Sequence, residues 1–204
     1  KRTTKNRMFE AKLTEGVIFK KIVDSIKDIV TDANIDISPS GISLQAMDSS
    51  HVALVSLNLS QDGFEFYRAD TSMVLGVNIA NLAKVMKLAD NNDSITFSAD
   101  QDATHLKIVF ENTKNEKTTE FNLNLITIDS EHLAIPETEY SSVVQIGSGE
   151  FSRICKELYS ISETVSVVTN PEFIQFNVDG DVGSGSVKLG QNEGDKKGEQ
   201  TQIQ

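Results

Sequence analysis

The residues of this chain whose types could do chemistry are three histidines, one cysteine and a short Asp-Ser-Ser-His run. His51, His105 and His132 stand far apart, and none has a Cys, a His or a carboxylate at metal-ligand spacing. Asp48-Ser49-Ser50-His51 holds the residue types of a hydrolytic triad, but triad geometry comes from separated segments, not from neighbours in sequence. Gly147-Ser148-Gly149 lacks the Lys-Ser/Thr ending and the further glycines of a phosphate loop. Cys155 falls on an apolar helix face and reads as a core cysteine. No catalytic residue, metal site or cofactor is expected, and the chain does not read as an enzyme.

Charge is more informative. The chain of 204 residues carries nineteen Lys and Arg against thirty Asp and Glu, a net charge of -11. Spread evenly, that balance argues against nucleic acid, whose phosphates need cations. It is not spread evenly. Residues 1-7, KRTTKNR, hold four basic groups and no acid, and read as an import signal, a processing remnant or a flexible basic tail. Beyond them, Lys20, Lys21, Lys27, Lys84, Lys87, Arg153 and Lys156 lie on three expected helices whose only acids are Asp24, Asp28, Glu150 and Glu157. Lysine-rich outer faces are common on any one helix. Three of them in an acidic chain predict a positive surface that attracts phosphate without reading bases, with steep salt dependence. No aromatics interleave with these cations, so stacking on single strands is not expected.

A second binding feature is apolar. Ser38–Leu59 reads as two strands around Asp48-Ser49-Ser50. Ala53, Val55, Leu57 and Leu59 share one face by alternation, the core face. Val52 and Leu54 then point outward, where a strand facing water should be polar. With Met47 and His51 they form either an outward pocket for a partner or the underside of a covering loop.

The elements that position these groups follow in order. Met8–Leu13 alternates as a strand, and Glu15-Gly16 breaks it. Val17–Val30 is helical, with Ile18, Phe19, Ile22, Val23, Ile26, Ile29 and Val30 on one arc. Phe64–Tyr67 and Met73–Val77 are strands, and Ile79–Ala89 is a second helix that buries Ile79, Leu82 and Met86. Strands follow at Ser94–Ala99, His105–Glu111 and Thr118–Leu125. Ile126–Tyr140 is a connector with a greasy centre, Leu133 to Pro136, packed on a domain or used as a binding strip. The opening pattern then recurs: Val144–Gly149 as strand and break, a helix face of Phe151, Ile154, Cys155 and Leu158, and strands at Val165–Thr169, Phe173–Val178 and Gly185–Leu189. This is an internal duplication by pattern, and its second copy stops early in a polar tail. No run is long and apolar enough to span a membrane, and the single cysteine suits a reducing compartment.

Met8–Leu13 (MFEAKL), Gly41–Phe64 (GISLQAMDSSHVALVSLNLSQDGF), Arg68–Lys87 (RADTSMVLGVNIANLAKVMK), Leu133–Tyr140 (LAIPETEY) and Ser148–Cys155 (SGEFSRIC) resemble the proliferating cell nuclear antigen family, the eukaryotic sliding clamps. The match runs from Met8 to about Gln191, essentially without gaps. The resemblance implies an α+β DNA-clamp fold, with two similar domains of antiparallel sheet and helices on one face. It implies a first clamp domain at 8-125, a connector at 126-140 and a second domain at 141-204, incomplete because family members continue further. It also implies a nuclear homotrimeric ring around double-stranded DNA, a processivity factor for replication and repair. Lys20, Lys21, Lys27, Lys84, Lys87, Lys117, Arg153 and Lys156 match DNA-facing positions. Met47, His51, Val52, Leu54, Leu133, Ile135 and Pro136 match the pocket that takes DNA polymerases, the clamp loader and other partners carrying the clamp-interaction motif. Val85, Lys117, Phe121, Leu158, Val182 and Val187 match the ring seam. Pro171 stands where the family carries a modified lysine, which puts that signalling in doubt, and the chain alone is expected to be aggregation-prone or partly unfolded. Two other readings stay open: a checkpoint or specialised subunit of a heterotrimeric ring, and a β-rich interaction module that never meets DNA.

Overall fold

The computed structural model describes residues 8-112, 114, 116-129 and 139-190, together with the backbone of 201-202. The chain divides into two compact units, Lys1–Ala134 and Ile135–Gln204. The basic extension at 1-7 lies outside the described residues.

The first unit runs β1 (Met8–Leu13), α1 (Gly16–Ile26), β2 (Asp32–Ser38), β3 (Gly41–Met47), β4 (Leu54–Ser60), β5 (Phe66–Ala69), β6 (Met73–Asn78), α2 (Ile79–Met86), β7 (Ser94–Asp100), β8 (His105–Asn112) and β9 (Lys117–Asn124). A 3-10 turn at Gln61–Gly63 joins β4 to β5. The strands form two sheets, ordered β5-β1-β7-β8-β9 and β4-β3-β2-β6, and every neighbouring pair is antiparallel. Alternation drives one face of each strand inward: Phe9 and Ala11 on β1, Ile35 and Ile37 on β2, Ile95 and Phe97 on β7, Ile108 and Phe110 on β8 are all buried. Both helices add to the same core.

The α1 pattern is narrower than its sequence suggests. Phe19, Val23 and Ile26 are buried, and Val30 joins them after the helix has ended. Ile18 and Ile29 remain 50% and 45% exposed. They lie at one edge of the apolar arc, roughly 80-100° around the helix from Phe19 at about 100° per residue, away from the buried line. The α2 helix is started by Asn78, whose side chain accepts from the Asn81 amide at 2.9 Å, and it buries Ile79, Leu82 and Met86 as expected. In β4, Val55, Leu57 and Leu59 pack toward the core, whereas Ala53 is exposed and precedes the strand.

The second unit comprises β10 (Val144–Gln145), α3 (Ser148–Tyr159), β11 (Val165–Thr169), β12 (Phe173–Gly180), β13 (Gly183–Gly190) and β14 (Thr201–Gln202). β11, β12 and β13 form an antiparallel meander, and β10 pairs in parallel with β14. The succession β10-α3-β11-β12-β13 repeats that of β1-α1-β2-β3-β4. A small core forms where Ile154 and Leu158 meet Ile174, Phe176 and Val178. Cys155, expected in that core, is exposed instead. Residues four apart share the buried line of α3, and Ile154–Leu158 occupies it, so their neighbour Cys155 is turned away from the meander. Phe151 is likewise 45% exposed, with its ring 6.1 Å from that of Phe176.

Candidate nucleic-acid and partner-binding surfaces

In the first unit α1 and α2 pack against each other, which brings their cations together. Lys20 reaches past the end of α2 and donates to the Ala89 carbonyl at 3.2 Å. Lys27 pairs with Asp24 at 2.8 Å. The Lys27 hydrogen bond holds the Asp24 carboxyl below its ordinary value; burial opposes it, and the positive fields of Lys27, Lys20 and Lys87 each add a smaller lowering. Cations from both helices therefore act on one carboxylate. Lys21, Lys84 and Lys87 are exposed, and Lys84 reaches the Asn81 side-chain oxygen at 3.4 Å. Lys117, at the start of β9, pairs with Asp90 at 3.1 Å. In the second unit Arg153 pairs with Glu150 at 2.6 Å, which raises its guanidinium pKa further, and Lys156 is exposed. Exposed pairs of this kind contribute little in water, so a phosphate can compete for these cations.

The connection from β3 to β4 is organised by Asp48. Its carboxylate accepts from the backbone amides of Ser50 at 3.1 Å, Val52 at 2.8 Å and Ala53 at 2.7 Å, and from the Ser50 hydroxyl. These bonds, the Ser50 hydroxyl first, hold the Asp48 carboxyl far below the usual aspartate range. They close the loop tightly enough that His51 takes a left-handed conformation, φ 58°, unusual for a residue with a side chain. Asp48 and His51 thus form a turn, not a catalytic pair.

Beside this loop lies a cleft of about 370 Å³. Met47, His51 and Leu54 line it, as do Ala33, Ala46 and Ile128, with Asp32, Asn34, Gln45 and Asp129 around them. Val52 is 86% exposed on the loop and does not line the cleft. Leu133, Ile135 and Pro136 lie outside the described residues. The contributions of Asp32, Asn34, Ile128 and Asp129 are not foreseen from sequence. The alternation of Ala33, Ile35 and Ile37 is the signal that marks β2 and hence the outward face holding Asp32 and Asn34. No local pattern marks Ile128, because a tertiary contact holds it.

The residues matched to a ring seam separate into two groups. β9 and β13 each end their sheet, so each offers an edge among the described residues. Phe121 on β9 is 39% exposed, Val182 beside β13 is 88% exposed, and Val187 is half-buried. Val85 and Leu158, by contrast, are both 4% exposed. They belong to the cores of their own units and offer no surface to a neighbour, which corrects the expectation for both. The inner stripe of each helix is used up in holding that helix on its sheet.

Among the described residues no group of three or more His, Cys, Asp or Glu side chains could hold a metal ion, and no helix is long and apolar enough to cross a membrane. Two family models match the chain. Residues 8–132 match the one described as proliferating cell nuclear antigen, N-terminal domain, and residues 134–204 match the one described as proliferating cell nuclear antigen, C-terminal domain.

Proposed function

The chain belongs to the proliferating cell nuclear antigen family of sliding clamps, and from that premise we propose that it serves as one subunit of a closed ring around duplex DNA. The α+β clamp fold supplies helices that carry cations and sheets that carry a cleft. The observation that supports the reading is the packing of α1 on α2, with Lys20 reaching the Ala89 carbonyl beyond α2 at 3.2 Å, which gathers Lys20, Lys27 and Lys87 from two helices. In an acidic chain, that is a local concentration of positive charge. We assign DNA contact to it, to the exposed Lys21 and Lys84, to Lys117, and to Arg153 and Lys156 of α3.

The mechanism is topological. Enclosure prevents escape, so the DNA contacts need only be weak and indifferent to sequence, which permits sliding. No bond is made or broken. A DNA polymerase, the clamp loader or another partner with the clamp-interaction motif seats an apolar side chain in the cleft near Met47, His51 and Leu54. Tethering then raises its effective concentration at the DNA, which is what processivity means here. The ring is a homotrimer closed by the β9 edge of one copy on the β13 edge of the next, and its place of work is the nucleus.

Retention on closed circular DNA tests this. The protein should stay on an intact circle at moderate salt and leave when the circle is cut once. Equal loss from circular and linear DNA would overturn enclosure. Sedimentation of the free protein as anything other than a trimer would overturn the homotrimer.

A further inference from the structure

The segment after β9 does not leave the first unit at once. The Ile126 amide donates to the Gly76 carbonyl at 2.9 Å, and the Asn34 side-chain amide donates to the Ile128 carbonyl at 3.2 Å. Asn34 and Gly76 are direct partners across β2 and β6. Asn34 lies between the buried Ala33 and Ile35, and so on the outward face of the sheet. Gly76 opposite it lacks a side chain for a definite reason: a Cβ there would stand 2.0 Å from the Ile126 carbonyl oxygen. The two residues make a flat place with one hook beside it. The chain lies on the flat place at Ile126 and is caught by the hook at Ile128. Two residues of that same segment, Ile128 and Asp129, line the cleft opposite Met47 and Leu54.

We propose that the Asn34–Gly76 pair is a seat that positions the connector, so that these two residues determine how well the cleft is formed for an apolar partner. The proposal rests on the reading of the cleft as a partner site and adds to it a positioning role for Asn34, itself in the cleft lining, and for Gly76 beneath the connector. The physical basis is preorganisation: a wall already held in place loses no freedom when a ligand arrives, whereas a loose wall must be ordered at the expense of affinity. Gly76 permits the close approach, and Asn34 selects one placement of the carbonyl it holds.

The test uses the full chain with Asn34→Ala, Asn34→Asp and Gly76→Ala. Asn34→Asp keeps the shape of the side chain and removes the amide donor. The first readout needs no ligand: hydrogen exchange of the Ile126 amide and its neighbours through Asp129. The second is the affinity and dissociation rate of a labelled synthetic peptide carrying the clamp-interaction motif. The seat predicts exchange at Ile126–Asp129 faster by about ten-fold and peptide binding weaker by about five-fold in both Asn34 variants, chiefly through faster dissociation, with melting unchanged. Gly76→Ala should do the same more strongly. Unchanged exchange in the Asn34 variants overturns the seat, and so does faster exchange with unchanged peptide affinity. If the unaltered protein binds no such peptide, the partner-site reading fails and with it the role of the seat in binding. The exchange result still decides whether the pair holds the connector.

Discussion

Asn112 donates a hydrogen bond of 2.8 Å to the carboxylate of Asp93, and the two are 5% and 1% exposed. The other Asp93 oxygen accepts from the Asp90 amide at 2.9 Å, and the Asp93 carbonyl accepts from the Gly16 amide at 2.9 Å. One residue thus ties the start of α1 and the turn after α2 to the end of β8. Asn112→Leu leaves a buried carboxylate short of a donor and should cost about 1-3 kcal/mol. Asp93→Ala should cost at least as much, since it orphans the Asp90 amide as well. Urea midpoints of the two variants and their double check this, and the pair should be strongly non-additive.

Tyr67 supplies a second internal tie. Its hydroxyl lies 2.6 Å from the Ser38 carbonyl and 2.7 Å from that of Gly41, where it donates across the β2-β3 turn. Burial raises its pKa above the ordinary value of 10.0. The folded state therefore favours the neutral phenol, and its contribution is complete below the unfolded value and lost as pH rises through and beyond it. Tyr67→Phe should lower stability by about 1 kcal/mol at neutral pH. The variant should also lose less than the parent protein as pH rises above about 10. Thermal melts across that range decide it.

Asp48 is expected to act on partner binding through the loop it closes. Asp48→Ala should loosen the loop carrying His51 and weaken binding of a clamp-motif peptide, with little change in melting because the loop is exposed. Asp48→Asn, which keeps one acceptor oxygen, should recover part of the affinity. Because the folded pKa is depressed, the carboxylate's contribution is whole above its ordinary value near 3.8 and drains only as pH falls below it. Peptide affinity of the parent protein should therefore show no dependence on Asp48 between about pH 5 and 8.

The cationic surface predicts a salt signature. Replacing Lys21, Lys87 and Lys156 by alanine should weaken retention on circular DNA equally for unrelated sequences. The slope of log affinity against log salt should flatten by about 0.9 for each phosphate contact removed. A change confined to particular sequences, or an unchanged slope, would remove these residues from the DNA surface.

Much of the fold is legible in the chain because it is written locally. Two-residue alternation marks β1, β7, β8 and β12, and helical spacing marks α1, α2 and α3, since each needs one face that can be buried. β2 is absent from the sequence reading although Ala33, Ile35 and Ile37 alternate regularly with polar Asp32, Asn34 and Asp36, which is itself the strand signal. The cleft is half legible. Met47, His51 and Leu54 announce themselves as apolar or aromatic groups on an outward hairpin. Asn34 and Ile128, 94 residues apart, meet only because the connector lies across β2 and β6.

Residue types and their periods were enough to assign most of the strands, the three helices and the excess of cations on those helices. Burial was not decided there. Cys155 on α3 and Val23 on α1 both read as core. Val23 is 2% exposed and Cys155 is open to solvent, because Val23 falls on the line of α1 packed inward with Phe19 and Ile26, whereas Ile154 and Leu158 take that line in α3. A side chain's type sets how much it gains from leaving water. Whether there is anything for it to leave water against depends on what other strands are packed there.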